Sequence, residues 1–211
     1  MYPNYTNTPE VVAKDYVLVT NTNSIAPAIE LAYVKENSKL DGNSFDSLLL
    51  SLIKVATEFG ERITGRDFIN KTYKGFLDCF PGDCNSIQIT KSKLQSITSI
   101  QYLKDNVLTT FDASKYYITE SDNDFSTINL VYGQSWPTNE DNRKQAVIIT
   151  FVAGYGDDSC DIPETLKRAM AAHIELLRSN SGDCQGADGI NKQATQLYKI
   201  FVLARKRFCV T

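Results

Sequence analysis

The sequence is poor in the groups that most often carry chemistry. Its 211 residues hold one histidine, one tryptophan and two methionines. Any Ser-His-Asp or Cys-His mechanism, and any imidazole-based metal site, must therefore use His173. Leu166, Met170, His173 and Leu177 recur at spacings of four, three and four, which puts the imidazole on the apolar stripe of a helix. A packed or interface histidine is the reading. No GxxxxGK followed by Ser or Thr and no GxGxxG is present, so phosphate cradling is unsupported. Long apolar runs are absent too: the longest, Leu48 to Ile53, is broken by Ser51 and falls far short of the ~20 residues that cross a bilayer. No membrane span is expected. The opening MYPNYTNTPEVVAKDY lacks the basic-then-apolar order of a secretory signal, so a protein made and kept in a cytosol is expected.

The five cysteines, Cys79, Cys84, Cys160, Cys184 and Cys209, are odd in number and scattered, which argues for reduced thiols rather than a disulfide framework. Cys79 and Cys84 flank a Phe-Pro-Gly-Asp turn, and no second close pair completes a zinc set. The acidic clusters Asp122/Asp124, Glu140/Asp141 and Asp157/Asp158/Asp161 do not follow EF-hand spacing and read as solvated turns. No metal or cofactor, and no catalytic residue, is assigned. With 22 basic and 25 acidic side chains the net charge is −3. That balance disfavours a domain built to grip phosphates.

Hydrophobic periodicity supplies the architecture. Residues 1–13 form a polar, turn-rich extension, and Lys14 to Thr20 reads as a strand. Helices are expected over about 26–40, with Pro27 in the first turn, over 44–64, and over 163–178. The 44–64 helix is the clearest: Phe45, Leu48, Leu49, Leu52, Val55, Ala56, Phe59 and Ile63 share one side of a 3.6-residue period. Between residues 71 and 152 the period changes to two, giving a β-rich stretch in which 97–111 reads as a hairpin turning at Asp105-Asn106. In its last strand both faces are apolar, which predicts cover on both sides. Residues 179–191 read as a Gly-rich linker, and 192–211 as a terminal helix and tail with Phe201 and Phe208 on one side and Arg205, Lys206 and Arg207 on others. The expected fold is α+β: a mainly helical bundle with a β-rich insertion between the second and third main helices. A C-terminal helix follows on a flexible linker, and residues 14–178 form the main domain.

Spaced motifs then point to a family. Leu31-Ala-Tyr-Val-Lys35, Asp46 to Arg66 ending in Thr64-Gly65-Arg66, Phe80-Pro81, Leu94-Gln95-Ser96-Ile97-Thr98-Ser99-Ile100, Gly133-Gln134-Ser135-Trp136-Pro137 and Ile149-Thr150-Phe151-Val152-Ala153-Gly154-Tyr155-Gly156 occur in order, followed by Ile162-Pro163. In this order and spacing the chain resembles the head-tail connector (adaptor) proteins of long-tailed bacteriophages and gene transfer agents. The resemblance covers about residues 14 to 180. It implies a structural virion protein and no enzyme: a ring, commonly dodecameric, below the portal of a DNA-filled head, with isolated subunits compatible with monomers. Implied partners are the portal, the stopper and tail proteins, and viral DNA that passes the lumen without sequence-specific binding. The implied location is the head–tail interface of the virion, after assembly in the host cytoplasm. The terminal residues Phe201, Arg205, Lys206, Arg207 and Phe208 are the candidates for docking on the portal. Alternatives are another neck component, such as a stopper or tail-completion protein, a phage-encoded host-directed binding protein, and, weakest, an enzyme using Cys79 or Cys84 with His173.

Overall fold

The structure is a computed structural model that describes residues 11–19, 26–82, 86–91, 93–120, 126–137, 143–180 and 187–199. The chain divides into two compact units: residues 1–20 with 71–153, and residues 21–70 with 154–211.

Among the described residues the first unit has nine strands: β1 (Val11–Val12), β2 (Lys14–Leu18), β3 (Lys71–Leu77), β4 (Ser86–Ile89), β5 (Leu94–Lys104), β6 (Val107–Phe111), β7 (Tyr116–Glu120), β8 (Ser126–Leu130) and β9 (Val147–Ala153). They form a five-stranded sheet in the order β2-β3-β9-β5-β6 and a four-stranded sheet in the order β1-β4-β8-β7. All pairings are antiparallel except β1 with β4. β9 is central, paired with β3 from Lys71↔Ala153 to Leu77↔Val147 and with β5 on its other edge. Val147, Ile149, Phe151 and Ala153 point into the core that joins the sheets, while the alternate residues are half-buried. Burying each large side chain there contributes about 1.5–3 kcal/mol. Ile87 and Ile89 of β4 and Ile128 of β8 close that core from the other sheet. The β5–β6 hairpin turns through Asp105 (φ 51) and Asn106 (φ 62), two successive left-handed residues that match the strand twist.

The second unit holds α1 (Leu31–Ser38), α2 (Asp46–Thr64), α3 (Glu164–Ser179) and α4 (Ala187–Leu197). α1 starts later than Pro27 because Glu30 is extended (φ −74, ψ 145), while Ala28 and Ile29 just before it are buried. α2 ends where Gly65 turns left-handed (φ 69) and its N–H reaches the Glu61 carbonyl. Leu49, Ile53, Ala56, Gly60 and Thr64 form its buried stripe, packed with Phe68, Leu166, Met170, Ile174 and Tyr198. Lys35 of α1 binds the Asp46 carboxylate at 2.8 Å, a surface pair that fixes the helix turn more than it stabilises the fold.

A mainly helical bundle with one β insertion is not what forms. Nine strands in two sheets hold about as many described residues as the four helices, so the fold is β-rich. Most of the difference lies in the middle stretch, where β3 to β9 by themselves build the body of both sheets, and the N-terminal strands add one edge to each. β1 and β2 pair with β4 and β3, so the β unit draws on both sides of the first two helices rather than on one inserted segment.

The chain returns to the helical unit through Gly154, whose φ of +150 few side chains adopt, and a Cβ there would lie 2.6 Å from the Asn70 backbone. Neither atom can retreat without moving main chain. Gly154→Ala is expected to cost about 2–4 kcal/mol, read as a lower urea midpoint at unchanged slope.

Candidate interaction surface

His173 lies in α3, 1% exposed. Its Nδ1 is 3.3 Å from the Tyr198 hydroxyl, which lies 3.4 Å from the Ala56 carbonyl, and the Phe59 ring sits 4.9 Å away, centroid to centroid. A hydroxyl has one proton, so when Tyr198 donates it to Ala56 the imidazole must donate from Nδ1. Burial pushes the imidazole down to about 4 and the Tyr198 phenol upward. These contacts make His173 a packing residue that seats the C-terminal end of α4. Cys79 and Cys160 are exposed free thiols. Asp161 accepts the Asp158 N–H, and Asp157 accepts from Asn70, so these carboxylates serve turns. Among the described residues no group of three or more His, Cys, Asp or Glu could hold a metal ion, and no helix is long and apolar enough to cross a membrane. Cys84, Cys184, Cys209, Asp122, Asp124, Glu140 and Asp141 lie outside the described residues.

What the structure does present is uncovered apolar surface on firmly built elements. The apolar arc of α2 is wider than its own unit covers. Beside the buried stripe runs a second one, Phe45, Leu48, Leu52, Val55 and Phe59, at spacings of three and four. Phe45 (47% exposed), Leu48 (40%) and Val55 (47%) are left in solvent, and the stripe ends where the Arg62 guanidinium lies 5.3 Å from the Phe59 ring centroid. In the β unit, Tyr132 is fully exposed at 102%. It stands on a tight turn: the Gln134 N–H bonds the Val131 carbonyl at 3.0 Å, with Gly133 at φ 78 as the third residue. That turn is braced at both ends. The Val131 N–H bonds the Lys115 carbonyl, and Trp136 stacks on Phe80 at 5.0 Å and packs against Phe111 at 5.2 Å. Sequence reasoning marked the Gly133–Pro137 motif but missed Tyr132 just before it; an aromatic at the second position of a glycine turn was the available signal.

The proposed docking residues Phe201, Arg205, Lys206, Arg207 and Phe208 lie outside the described residues. The segment before them is tied down: α4 already runs from Ala187, inside the stretch read as linker, and Ala194 and Tyr198 are fully buried in the helical unit. The motifs singled out in the sequence fall on packing and turn positions, with Phe80 in the β core, Thr64 donating to the Gly60 carbonyl at 2.8 Å, and Arg66 reaching the Tyr155 hydroxyl at 3.0 Å.

Two sheets sharing one core, joined to four helices in a second unit, define the architecture, and it matches solved structures. A chain of the neck of an empty GTA particle computed with C6 symmetry shares it at TM-score 0.66 and 16% identity, over 86% of this chain and 95% of that one. A chain of the neck of a native GTA particle computed with C12 symmetry gives 0.62 at 16% identity, over 86% and 94%. A chain of the virion of a native gene transfer agent particle gives 0.59 at 16% identity, over 84% and 93%. At this identity the likeness establishes a common fold. No protein-family model and no curated protein matches the sequence.

The folded His173 binds its proton less tightly than the unfolded chain does, so its contribution is complete above about pH 6.5 and is lost as pH falls towards about 4. The loss is on the order of 2 to 3 kcal/mol. Urea midpoints measured across that window should fall with acid in the natural chain and fall less steeply in His173→Gln.

Proposed function

We propose that this chain is a structural virion protein of the neck of a phage-like particle, a head-tail connector that forms a ring below the portal. The carrying observation is the fold shared over 86% of the chain with a chain of a GTA particle neck. The ordered motifs from Leu31 to Pro163 support the connector in particular. The ring is read as a homo-oligomer, a dodecamer in the virion, bound above to the portal and below to stopper or tail proteins. The neck structures were computed with C6 and C12 symmetry, which supports a ring. Assembly in the host cytoplasm would precede incorporation at the head–tail interface. With a chain of net charge −3, acidic groups facing the lumen would repel phosphates and let DNA slide.

The protein is read as having no enzymatic activity. The sole imidazole is enclosed by Phe59 and Tyr198, while the exposed features are apolar knobs and stripes suited to binding proteins. Within the same class, a stopper role is the second reading, favoured by the β-rich content.

Disrupting the gene should yield DNA-filled heads without tails, and microscopy of complete particles should locate the chain between portal and tail. Purified particles whose necks lack it would overturn the proposal. The terminal residues Phe201 to Phe208 are proposed to dock on the portal, the basic triad facing acidic groups. Because Tyr198 belongs to the core, the informative truncation removes residues 200–211 and leaves α4 in place. That variant should keep its thermal midpoint and lose portal binding; undiminished binding refutes the terminal contact.

A further inference from the structure

We infer that Tyr132 of one copy seats on the exposed flank of α2 of the next copy, making the head-to-tail contact of the ring; this rests on the neck-ring reading. Tyr132 lies in the β unit and the exposed flank of α2 in the helical unit, so every copy carries both features. The knob is a fully exposed aromatic on a turn braced by Trp136, Phe80 and Phe111, so little backbone freedom is lost when it docks. The stripe offers what a tyrosine ring needs. Leu48, Leu52 and Val55 supply apolar surface, and Arg62 supplies a cation at its end that already lies against one aromatic ring. A phenol presents a negative ring face and an acceptor oxygen, so its charge distribution complements the guanidinium.

Both partners of the contact are present on every copy, so a second copy is the occupant. In the head-to-tail arrangement each copy uses its knob on one neighbour and its stripe on the other, leaving one of each unused until a ring closes, whereas a reciprocal two-fold pair would use both at once. The small area argues in the same direction. One aromatic buries about 150–250 Å², well below the ~800 Å² per partner of a stable pair. Two isolated copies would hold each other weakly, and a closed or templated ring, in which each copy makes the contact twice, would hold firmly.

The test uses full-length chains and sedimentation equilibrium up to millimolar concentration. Tyr132→Ser lacks the knob, and the double variant Leu48→Ser/Val55→Ser lacks the stripe; all three side chains are at the surface, and equal thermal midpoints verify folding. The natural chain should self-associate weakly into species beyond the dimer, and Tyr132→Ser about thirtyfold more weakly; association of the natural chain that stops at a dimer would overturn the head-to-tail arrangement. An equimolar mixture of the two variants should give a one-to-one pair that does not grow, because the only intact knob and stripe are used up. A natural chain that stays monomeric at millimolar concentration, a Tyr132→Ser variant that associates as the natural chain does, or a mixture with no pair would each overturn the contact. Loss of portal or tail binding in Tyr132→Ser with self-association intact would likewise overturn it, assigning the knob to another partner. Location in the neck is read on particles and this contact in solution, so the two can fail separately.

Discussion

Hydrogen bonding of β9 along both edges is the constraint from which the rest follows. β9 pairs with β3, some 75 residues earlier in the chain, and with β5, so the five-stranded sheet exists only when these distant segments meet. Loop closure of that length is slow and is rewarded only by the burial of Val147, Ile149 and Phe151 that it permits. The same pairing sets Lys71 opposite Ala153, so the chain enters β3 and leaves β9 at one place. Asn70 and Gly156 then meet, the Asn70 N–H bonding the Gly156 carbonyl at 2.8 Å, and this is why position 154 tolerates no side chain.

The helical unit has a corresponding keystone in Tyr198. Its ring shares with Phe68 the space left by the missing side chain of Gly60, and its hydroxyl bridges α2 and α3 through Ala56 and His173. The sole histidine is thus spent on holding a helix. Among the described residues, the aromatic Tyr132 on its tight turn and Phe45, Leu48 and Val55 on the flank of α2 are left exposed. Such features cost solubility in a solitary protein and are understandable in one destined to be covered.

Periodicity made most elements legible. The period of two between residues 71 and 152 matches the run of strands from β3 to β9, and the 3.6-residue period over 44–64 matches α2. Balance between the elements was not legible, because pattern reveals a strand without revealing its partners; Lys14 to Thr20 read as a strand, and only the pairing of Lys14–Leu18 with β3 shows that it belongs to the large sheet. α2 illustrates a second limit. Phe45, Leu48 and Val55 look the same in a hydrophobicity pattern as Leu49, Ile53 and Ala56, yet the first three face solvent and the second three the core. Residues 187–191 show a third. Ala-Asp-Gly-Ile-Asn has the composition of a loop, but Ala194 and Tyr198 downstream bury themselves on the bundle and helix forms regardless of propensity. The turn glycines and Phe80 were marked by motif, and their physical work is now visible as bracing for Tyr132.

The polypeptide passes between its two units three times, near residues 20, 70 and 153. Neither unit is therefore a continuous piece of gene, and neither can be lost, swapped or expressed by a single cut. A protease that nicks one crossing leaves two covalent strands still joining the halves, so a particle joint built from this chain would resist tearing even after damage to its backbone.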